Sequence, residues 1–279
     1  WFVKLEGRQV LLRDDLNAPE PVAILEEGAW SGVLSRSLAT RQCSAADHDT
    51  HTSIAPSTPL CRFRYRVKVL QANAATGTLS LFFTPLADFR PTVNDPILAE
   101  ALYEINEVAT FSGHSGYFGS GALDDETYLE IERLNLNWQA SAIERAWELD
   151  SCAATVGYTV MIDTINHKYR NVIEGLTGDE AARNKAIHIE RQAYALVDQF
   201  VGRLVQRAGP ETLVVLVSDH GSVGYTSLFR PAEALKRAGL LVTRPRADGH
   251  GEEIVWEQTR AVPFSSVHIY VNLKGREPQ

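Results

Sequence analysis

The sequence predicts an α/β fold in which a mostly parallel sheet is flanked by helices and a β-rich segment occupies the N-terminal part. Short apolar runs, several of them alternating with polar residues, dominate residues 1–118, whereas helical patterns alternate with apolar runs over 119–279. In the second part, an apolar run, a long helical pattern and another apolar run follow one another, which is the order of a βαβ crossover. We therefore predict a β-rich segment over 1–118, inserted in or appended to the domain, and an α/β core over 119–279.

Two pairs of strands are predicted in the β-rich segment. The apolar runs Gln9–Arg13 and Pro21–Leu25 flank the turn sequence Asp14–Asn17. Farther along, Cys61–Val69 alternates apolar and basic residues, and Gly77–Phe83 returns after a loop of small residues. This second pair predicts a hairpin with one face in solvent, so we expect the basic side chains of Cys61–Val69 to be solvated.

Helices of three different lengths are predicted in the core. Asp124 supplies an N-cap, acidic residues follow in the first turn, and an apolar stripe at helical spacing continues to Trp147. A longer helix is expected over Asp179–Ala208, because apolar residues recur there every three or four positions and Gly209-Pro210 ends the pattern. A short helix is expected over Pro231–Ala238, because proline suits the first helical position.

Strands are predicted on both sides of the longer helix. Ala153–Ile162 and Thr212–Val217 are mainly apolar, as expected of strands that are buried on both faces of a parallel sheet. Thr259–Phe264 and Val267–Leu273 are predicted to form a further strand pair. The longest apolar stretch lies within Ala153–Ile162 and is too short to span a bilayer, so no membrane segment is expected.

Charge and cysteine content exclude several classes of protein. The net charge is −8, from 27 basic and 35 acidic residues, whereas proteins that bind nucleic acid need basic patches to neutralise phosphates. An acidic protein that handles phosphate would need metal ions to supply positive charge. The 3 cysteines are widely spaced and form no CxxC pair, so neither a disulfide framework nor a thiolate zinc site is predicted. The cellular compartment stays open.

Two motifs with an Asp and a His follow the two strands predicted for the parallel sheet. Asp163 and His167 come directly after the first strand, and Asp219 and His220 follow the second. Ligand sites of open α/β sheets lie beyond the carboxyl ends of the strands, so the two pairs are expected to converge. Carboxylate oxygens and imidazole nitrogens suit Zn²⁺ or Mn²⁺. Alternatively, each Asp could be a helix N-cap and each His could bind a backbone carbonyl.

These motifs resemble those of a known family. The sequence Ser218–Gly221 after an apolar run, the upstream Asp163 and His167, the terminal stretch 269–278 and the stretch Thr84–Pro91 are similar to the type I phosphodiesterase/nucleotide pyrophosphatase family. This family belongs to the alkaline phosphatase superfamily, and the resemblance covers about residues 60–279. It implies an alkaline-phosphatase-like core.

The resemblance also implies a pair of divalent metal ions, zinc or alternatively manganese, that bind a phosphoryl group. Asp163 and His167 would hold the first ion, and Asp219 and His220 the second. In the family, the Thr or Ser nucleophile precedes the region where this chain begins, and a third His ligand follows the region where it ends. We therefore expect a fragment that is incomplete at both ends. His250 and His268 are not favoured as replacements for this third His ligand, because His250 lies in a predicted turn and His268 in a predicted strand.

The function implied is metal-dependent hydrolysis of a phosphoric ester or nucleotide, by a phosphodiesterase or nucleotide pyrophosphatase. A mutase or a sulfuric-ester hydrolase of the same superfamily is an alternative. A second alternative is a catalytically silent member of the fold that acts as an interaction module. The identity of the ester, the physiological metal and the oligomeric state stay open at this point.

Overall fold

A computed structural model describes residues 1–39, 60–86, 88, 90–108, 115–149, 152–264, 268–273 and 275–276. The protein is a mixed α/β molecule with small antiparallel sheets. It consists of two compact units, Trp1–Val223 and Gly224–Gln279. Within the part of the chain that is described, no helix combines the length and the apolarity that a membrane span requires.

The N-terminal part of the first unit consists of antiparallel strands. A three-stranded sheet joins β1 (Phe2–Glu6), β2 (Gln9–Arg13) and β3 (Ala23–Glu26), and two-stranded sheets pair β4 (Leu34–Ala39) with β5 (Leu60–Tyr65) and β6 (Val67–Asn73) with β7 (Thr78–Phe83). The predictions of β2, of β3 and of the β6–β7 hairpin are confirmed. The predicted strand over 61–69 is instead divided into β5 and β6, which pair with different partners.

The Arg and Lys side chains of β5 and β6 are less exposed to solvent than predicted. Lys68 is buried, with 6% of its surface exposed, and Arg64 and Arg66 are half-buried. Arg64 donates hydrogen bonds to the backbone carbonyls of Tyr103 and Ile105, which lie at the C-terminal end of α1 (Pro96–Tyr103). A guanidinium is favourable there because the helix leaves its last carbonyls unpaired. The expectation of a solvated basic face is therefore wrong for these three residues, because packing covers them, whereas Arg62 is exposed as predicted.

Three long helices form the second half of the first unit. After the short α2 (Ser115–Gly119), the chain forms α3 (Asp125–Glu148), α4 (Met161–Ile173) and α5 (Glu180–Arg207). The side chain of Asp124 accepts a hydrogen bond from Thr127 N, so the predicted N-cap of α3 is confirmed, and Asp179 caps α5 in the same way by accepting from Ala182 N.

The helical core is defined here as α3, α4 and α5. Their buried apolar residues form one cluster with Phe118 of α2, and this cluster attaches the three helices to one another. Its buried members are Phe118, Tyr128, Leu129, Leu136, Met161, Ile165, Ile189 and Ala193.

The two strands predicted for a parallel sheet are not formed. Residues 153–160 and 212–217 have no regular secondary structure, and Met161 already begins α4. Val156 is 90% exposed and Val217 is 82% exposed, so these apolar runs do not form a buried layer. A strand is stable only beside partners that satisfy its backbone N–H and C=O groups. The described strands pair only in antiparallel arrangements, and no parallel sheet is seen among the described residues.

The second unit is small and built from hairpins. It contains α6 (Pro231–Arg237), the pair β8 (Thr243–Pro245) and β9 (Glu252–Ile254), and the pair β10 (Ala261–Phe264) and β11 (His268–Val271). Leu235, Leu241 and Ala261 form its buried cluster. The predicted helix and the predicted final strand pair are confirmed.

Candidate metal centre

The first Asp/His motif lies within a helix. Asp163 is in the first turn of α4 and His167 is one turn later, so both side chains lie on the same side of the helix. Their Oδ2 and Nε2 atoms are 3.4 Å apart, and the side chains are 41% and 75% exposed. Met161 and Ile165, which are fully buried, attach the opposite side of this helix to the helical core. The burial of one side of α4 thus presents Asp163 and His167 to solvent.

The second motif lies in an extended segment that follows α5. Nε2 of His220 is 3.5 Å from Oδ2 of Asp219, and the backbone N–H of His220 donates a hydrogen bond to Oδ1 of the same carboxylate. Nδ1 of His220 lies 3.0 Å from the carbonyl oxygen of Gly221. A carbonyl only accepts hydrogen bonds, so Nδ1 carries a proton, and in the neutral ring Nε2 then keeps its lone pair. Metal-binding histidines are oriented in the same way.

The two motifs influence each other electrostatically. The pKa of His220 is raised by its hydrogen bond to the Gly221 carbonyl, by the adjacent Asp219 and by Asp163 in α4. Asp163 and His220 are 57 positions apart in the sequence, yet their charges lie close enough to interact. In the described part of the chain, however, no group of three or more His, Cys, Asp or Glu side chains could hold a metal ion. The described part of the structure therefore contains two Asp/His pairs, with two candidate ligands in each, and no larger cluster of ligands.

The donor atoms of each pair are compatible with binding one divalent cation. In a tetrahedral zinc site, donors about 2.0–2.2 Å from the metal lie roughly 3.4 Å from one another. The separations of 3.4 Å between Asp163 and His167 and 3.5 Å between Asp219 and His220 are close to that value. All four side chains are more than one-third exposed, so a hydrated ion could reach them. Oxygen and nitrogen donors suit both zinc and manganese.

Comparison with known proteins gives the family. The model of the type I phosphodiesterase/nucleotide pyrophosphatase family matches residues 45–277, which include both Asp/His pairs. The chain belongs to this family. No curated protein and no solved structure showed significant similarity to the chain. Type I phosphodiesterases and nucleotide pyrophosphatases are generally metal-dependent hydrolases of phosphoric esters or nucleotides, and membership supports hydrolase activity for this chain.

A pair of buried polar residues in α3 lies close to α4, the helix of the first motif, and was not identified from the sequence. Tyr128 and Glu132 of α3 are both 0% exposed and lie one helical turn apart. Burial, Glu132 and Asp163 all raise the pKa of Tyr128, while Thr164 beside Asp163 lowers it. The hydroxyl of Tyr128 therefore lies near the buried side of α4, where Met161 and Ile165 pack against the same cluster. One sign of this pair is visible in the sequence, since Glu132 is an acidic residue next to an apolar helical stripe.

Proposed function

We propose that the protein is a metal-dependent hydrolase of phosphoric esters, of the phosphodiesterase/nucleotide pyrophosphatase type. The observation that supports this proposal is the presence of two exposed Asp/His pairs, on α4 and after α5, whose charges interact. Both pairs lie inside the family match over 45–277. Family membership supports hydrolase activity, and the two pairs add a candidate site for the metals.

The four side chains would hold two divalent cations, zinc or alternatively manganese. Asp163 and His167 would bind one ion, and Asp219 and His220 the other. Two such ions, when bound, stabilise the attacking and leaving oxygens of a phosphoryl group. The net charge of −8 agrees with this proposal, because the chain itself has no excess of Lys and Arg with which to attract a phosphoric ester.

The protein's own groups orient the ligands before any metal arrives. The carbonyl of Gly221 accepts a hydrogen bond from Nδ1 of His220, which leaves Nε2 as the ligand atom. The rigid turn of α4 sets the spacing of Asp163 and His167. Such orientation reduces the rotamer entropy that the ligands lose when an ion binds.

The metal site can be tested by removing one pair. We expect the Asp219→Ala, His220→Ala double variant to lose metal, measured by mass spectrometry of metal content, and to lose hydrolysis of bis(4-nitrophenyl) phosphate by the intact protein. The matched control is Asp248→Ala, His250→Ala, which removes another exposed Asp and His from the segment that joins β8 to β9. The control should keep both properties. Full metal content and activity in the first variant would contradict the site assignment.

The substrate class needs a separate experiment, because phosphate and sulfate esters have similar geometry. Phosphate monoesters, phosphodiesters, nucleoside triphosphates and sulfate esters should be compared with the same intact protein. We expect the highest kcat/KM for a phosphodiester or a nucleotide. A preference for sulfate esters would indicate the sulfuric-ester alternative, and hydrolysis of none of them by a metal-loaded protein would support the silent alternative.

A further inference from the structure

The segment Ser218–Gly221, which carries the second Asp/His pair, contains short-range hydrogen bonds that involve His220. The hydroxyl of Ser218 donates to the carbonyl oxygen of His220 at 2.8 Å. The backbone N–H of His220 donates to Oδ1 of Asp219 at 3.1 Å, and Nδ1 of its ring donates to the carbonyl of Gly221 at 3.0 Å. His220 is therefore held through its carbonyl, its N–H and its ring.

Packing contributes little to the geometry of this segment. Residues 218–221 are exposed, and the apolar run 212–217 before them has no regular secondary structure. Leu216 and Val217 are 74% and 82% exposed, so they do not anchor the motif in a core. The first Asp/His pair, by contrast, lies on α4, whose opposite side is buried in the helical core. The second pair therefore depends more on its own hydrogen bonds.

The hydrogen bond from Ser218 restricts the peptide group that follows His220. A peptide group is planar, so holding the carbonyl of His220 also holds the N–H and the Cα atom of Gly221. Glycine has the widest choice of backbone conformations, and a Cβ atom at Gly221 would meet nothing within 4 Å. Steric contacts thus leave the chain free to turn at this point. The Ser218 hydroxyl opposes one of the rotations that would carry the Gly221 carbonyl away from Nδ1.

We propose that Ser218 is a positioning residue for the second metal ion. Its hydroxyl holds the peptide group after His220, which keeps the Gly221 carbonyl beside Nδ1 and leaves Nε2, 3.5 Å from Oδ2 of Asp219, as the donor atom. Histidines that bind metals commonly donate their other ring N–H to a carbonyl, which fixes the tautomer and the orientation of the ring. This inference rests on the proposed function, because it assumes that His220 is a ligand.

The tautomer of His220 can be measured in the metal-free protein. Long-range ¹H–¹⁵N NMR spectra at about pH 9, where imidazole is neutral, distinguish the ring nitrogen that carries a proton from the one that does not. The signals of His220 are identified by their loss in His220→Ala. We expect the proton on Nδ1 in wild type and a larger share of the Nε2-protonated tautomer in Ser218→Ala. Ser218→Thr, which keeps the hydroxyl, should match wild type.

Metal affinity is measured with the same variants. Calorimetric titration of the full, metal-free chain with Zn²⁺ at pH 7 should show binding about threefold to tenfold weaker in Ser218→Ala, as expected for the loss of one hydrogen bond. The matched control is Ser222→Ala, which removes another exposed hydroxyl directly after the motif. The control should change neither the tautomer nor the affinity.

Several results would overturn the role of Ser218 and leave the proposed function intact. These are wild-type Zn²⁺ affinity in Ser218→Ala, an unchanged tautomer in that variant, and a proton on Nε2 in the metal-free wild type. The proposed metal site fails in a different way. If the wild-type protein does not bind Zn²⁺, or if His220→Ala binds it as tightly as wild type does, His220 is not a ligand and the role of Ser218 is wrong as well.

Discussion

The ammonium group of Lys68 in β6 lies 2.5 Å from Oε2 of Glu130 in α3. Lys68 also donates a hydrogen bond to Thr127, and Trp30 donates its indole N–H to the same oxygen of Glu130. These contacts connect the β-rich part of the first unit to its helical core. The side chain of Lys68 is 7% exposed, so solvent screens this ion pair far less than it screens a pair at the surface.

Lys68→Met is expected to lower the free energy of unfolding by about 2–4 kcal/mol, because it leaves Glu130 partly buried without its counter-charge. Urea denaturation at pH 7 measures the change. Lys4→Met is the control, since the pair of Lys4 with Glu6 is exposed and its loss should cost less than about 1 kcal/mol. Adding Glu130→Gln to Lys68→Met should restore part of the loss. Equal effects of the Lys68 and Lys4 substitutions would show that the buried pair contributes little.

The burial of Lys68 illustrates what local sequence patterns leave undetermined. Its alternating strand predicts a solvated basic face, but its partner Glu130 is 62 residues away in the chain, beyond the range of any periodicity. The N-cap of α3 was predictable because Asp124 binds a backbone N–H only three residues away. Caps and helical stripes are local, whereas burial of a charge depends on tertiary contacts.

The apolar runs 153–160 and 212–217 show the same limit for strands. Their composition has high β-propensity, but propensity describes how a residue fits a sheet and does not supply the neighbouring strand. Asp163 and His167, which follow the first run, are four positions apart, and this spacing also fits one turn of α4. Glu132 had no comparable pattern, because an acidic residue in a helix is usually exposed.

Asp125 connects all three long helices, and its loss should be costly. Its carboxylate, on a residue 7% exposed, contacts Lys168 and Tyr169 of α4 and Lys185 of α5. We expect Asp125→Ala to lower the free energy of unfolding by about 2–4 kcal/mol at pH 7. Circular dichroism during urea denaturation provides the measurement. A change below about 0.5 kcal/mol, the usual range for surface substitutions, would contradict this role.

The contribution of Asp125 should also depend on pH. Burial opposes its ionisation, but hydrogen bonds from Lys185, Tyr169 and Lys168 outweigh burial and lower its pKa. The unfolded chain then binds a proton at a higher pH than the folded protein does, at a pKa of about 3.9. The stability that ionised Asp125 contributes is therefore complete above that value and is lost as the pH falls through the lower folded pKa. The difference between wild type and Asp125→Asn should therefore shrink as the pH falls from about 5 to about 2.

Glu132 should make the stability of the protein depend on pH in the opposite direction. Its folded pKa is raised to about 7 by burial, compared with about 4.3 in an unfolded chain. Between these values the folded protein binds more protons than the unfolded chain, so stability falls as the pH rises and levels off above about 7. The free energy of unfolding should fall by an amount on the order of 3 kcal/mol over this pH range. Urea denaturation of wild type and Glu132→Gln from pH 4.5 to pH 8.5 measures it.

Glu132→Gln cannot ionise, so its stability relative to wild type should increase with pH over this range. At pH 8 the variant should be the more stable protein, because it no longer buries a charge. At pH 4.5 the two proteins should have similar stability. A difference that stays constant from pH 4.5 to pH 8.5 would mean that Glu132 titrates normally.

Gln139 of α3 holds the extended segment that leads into α4. Its side-chain amide donates a hydrogen bond to the carbonyl of Tyr158 at 2.9 Å and accepts one from the N–H of Tyr158 at 3.0 Å. Gly157 lies against Phe200 of α5, where a Cβ atom would come within 2.9 Å of the ring. The segment is thus attached to α3 and α5 by a paired hydrogen bond and by close packing, although it has no strand partner.

Gln139→Leu should release this segment, because leucine has a similar size but cannot pair with the backbone of Tyr158. Hydrogen exchange followed by mass spectrometry should show faster exchange over 153–160, by about tenfold if the two hydrogen bonds together contribute roughly 1–2 kcal/mol. Exchange in the middle of α5 should not change. Gln199→Leu is the control, since no contact of Gln199 with this segment is seen among the described residues. Unchanged exchange over 153–160 in Gln139→Leu would show that packing at Gly157 alone holds the segment against the helices.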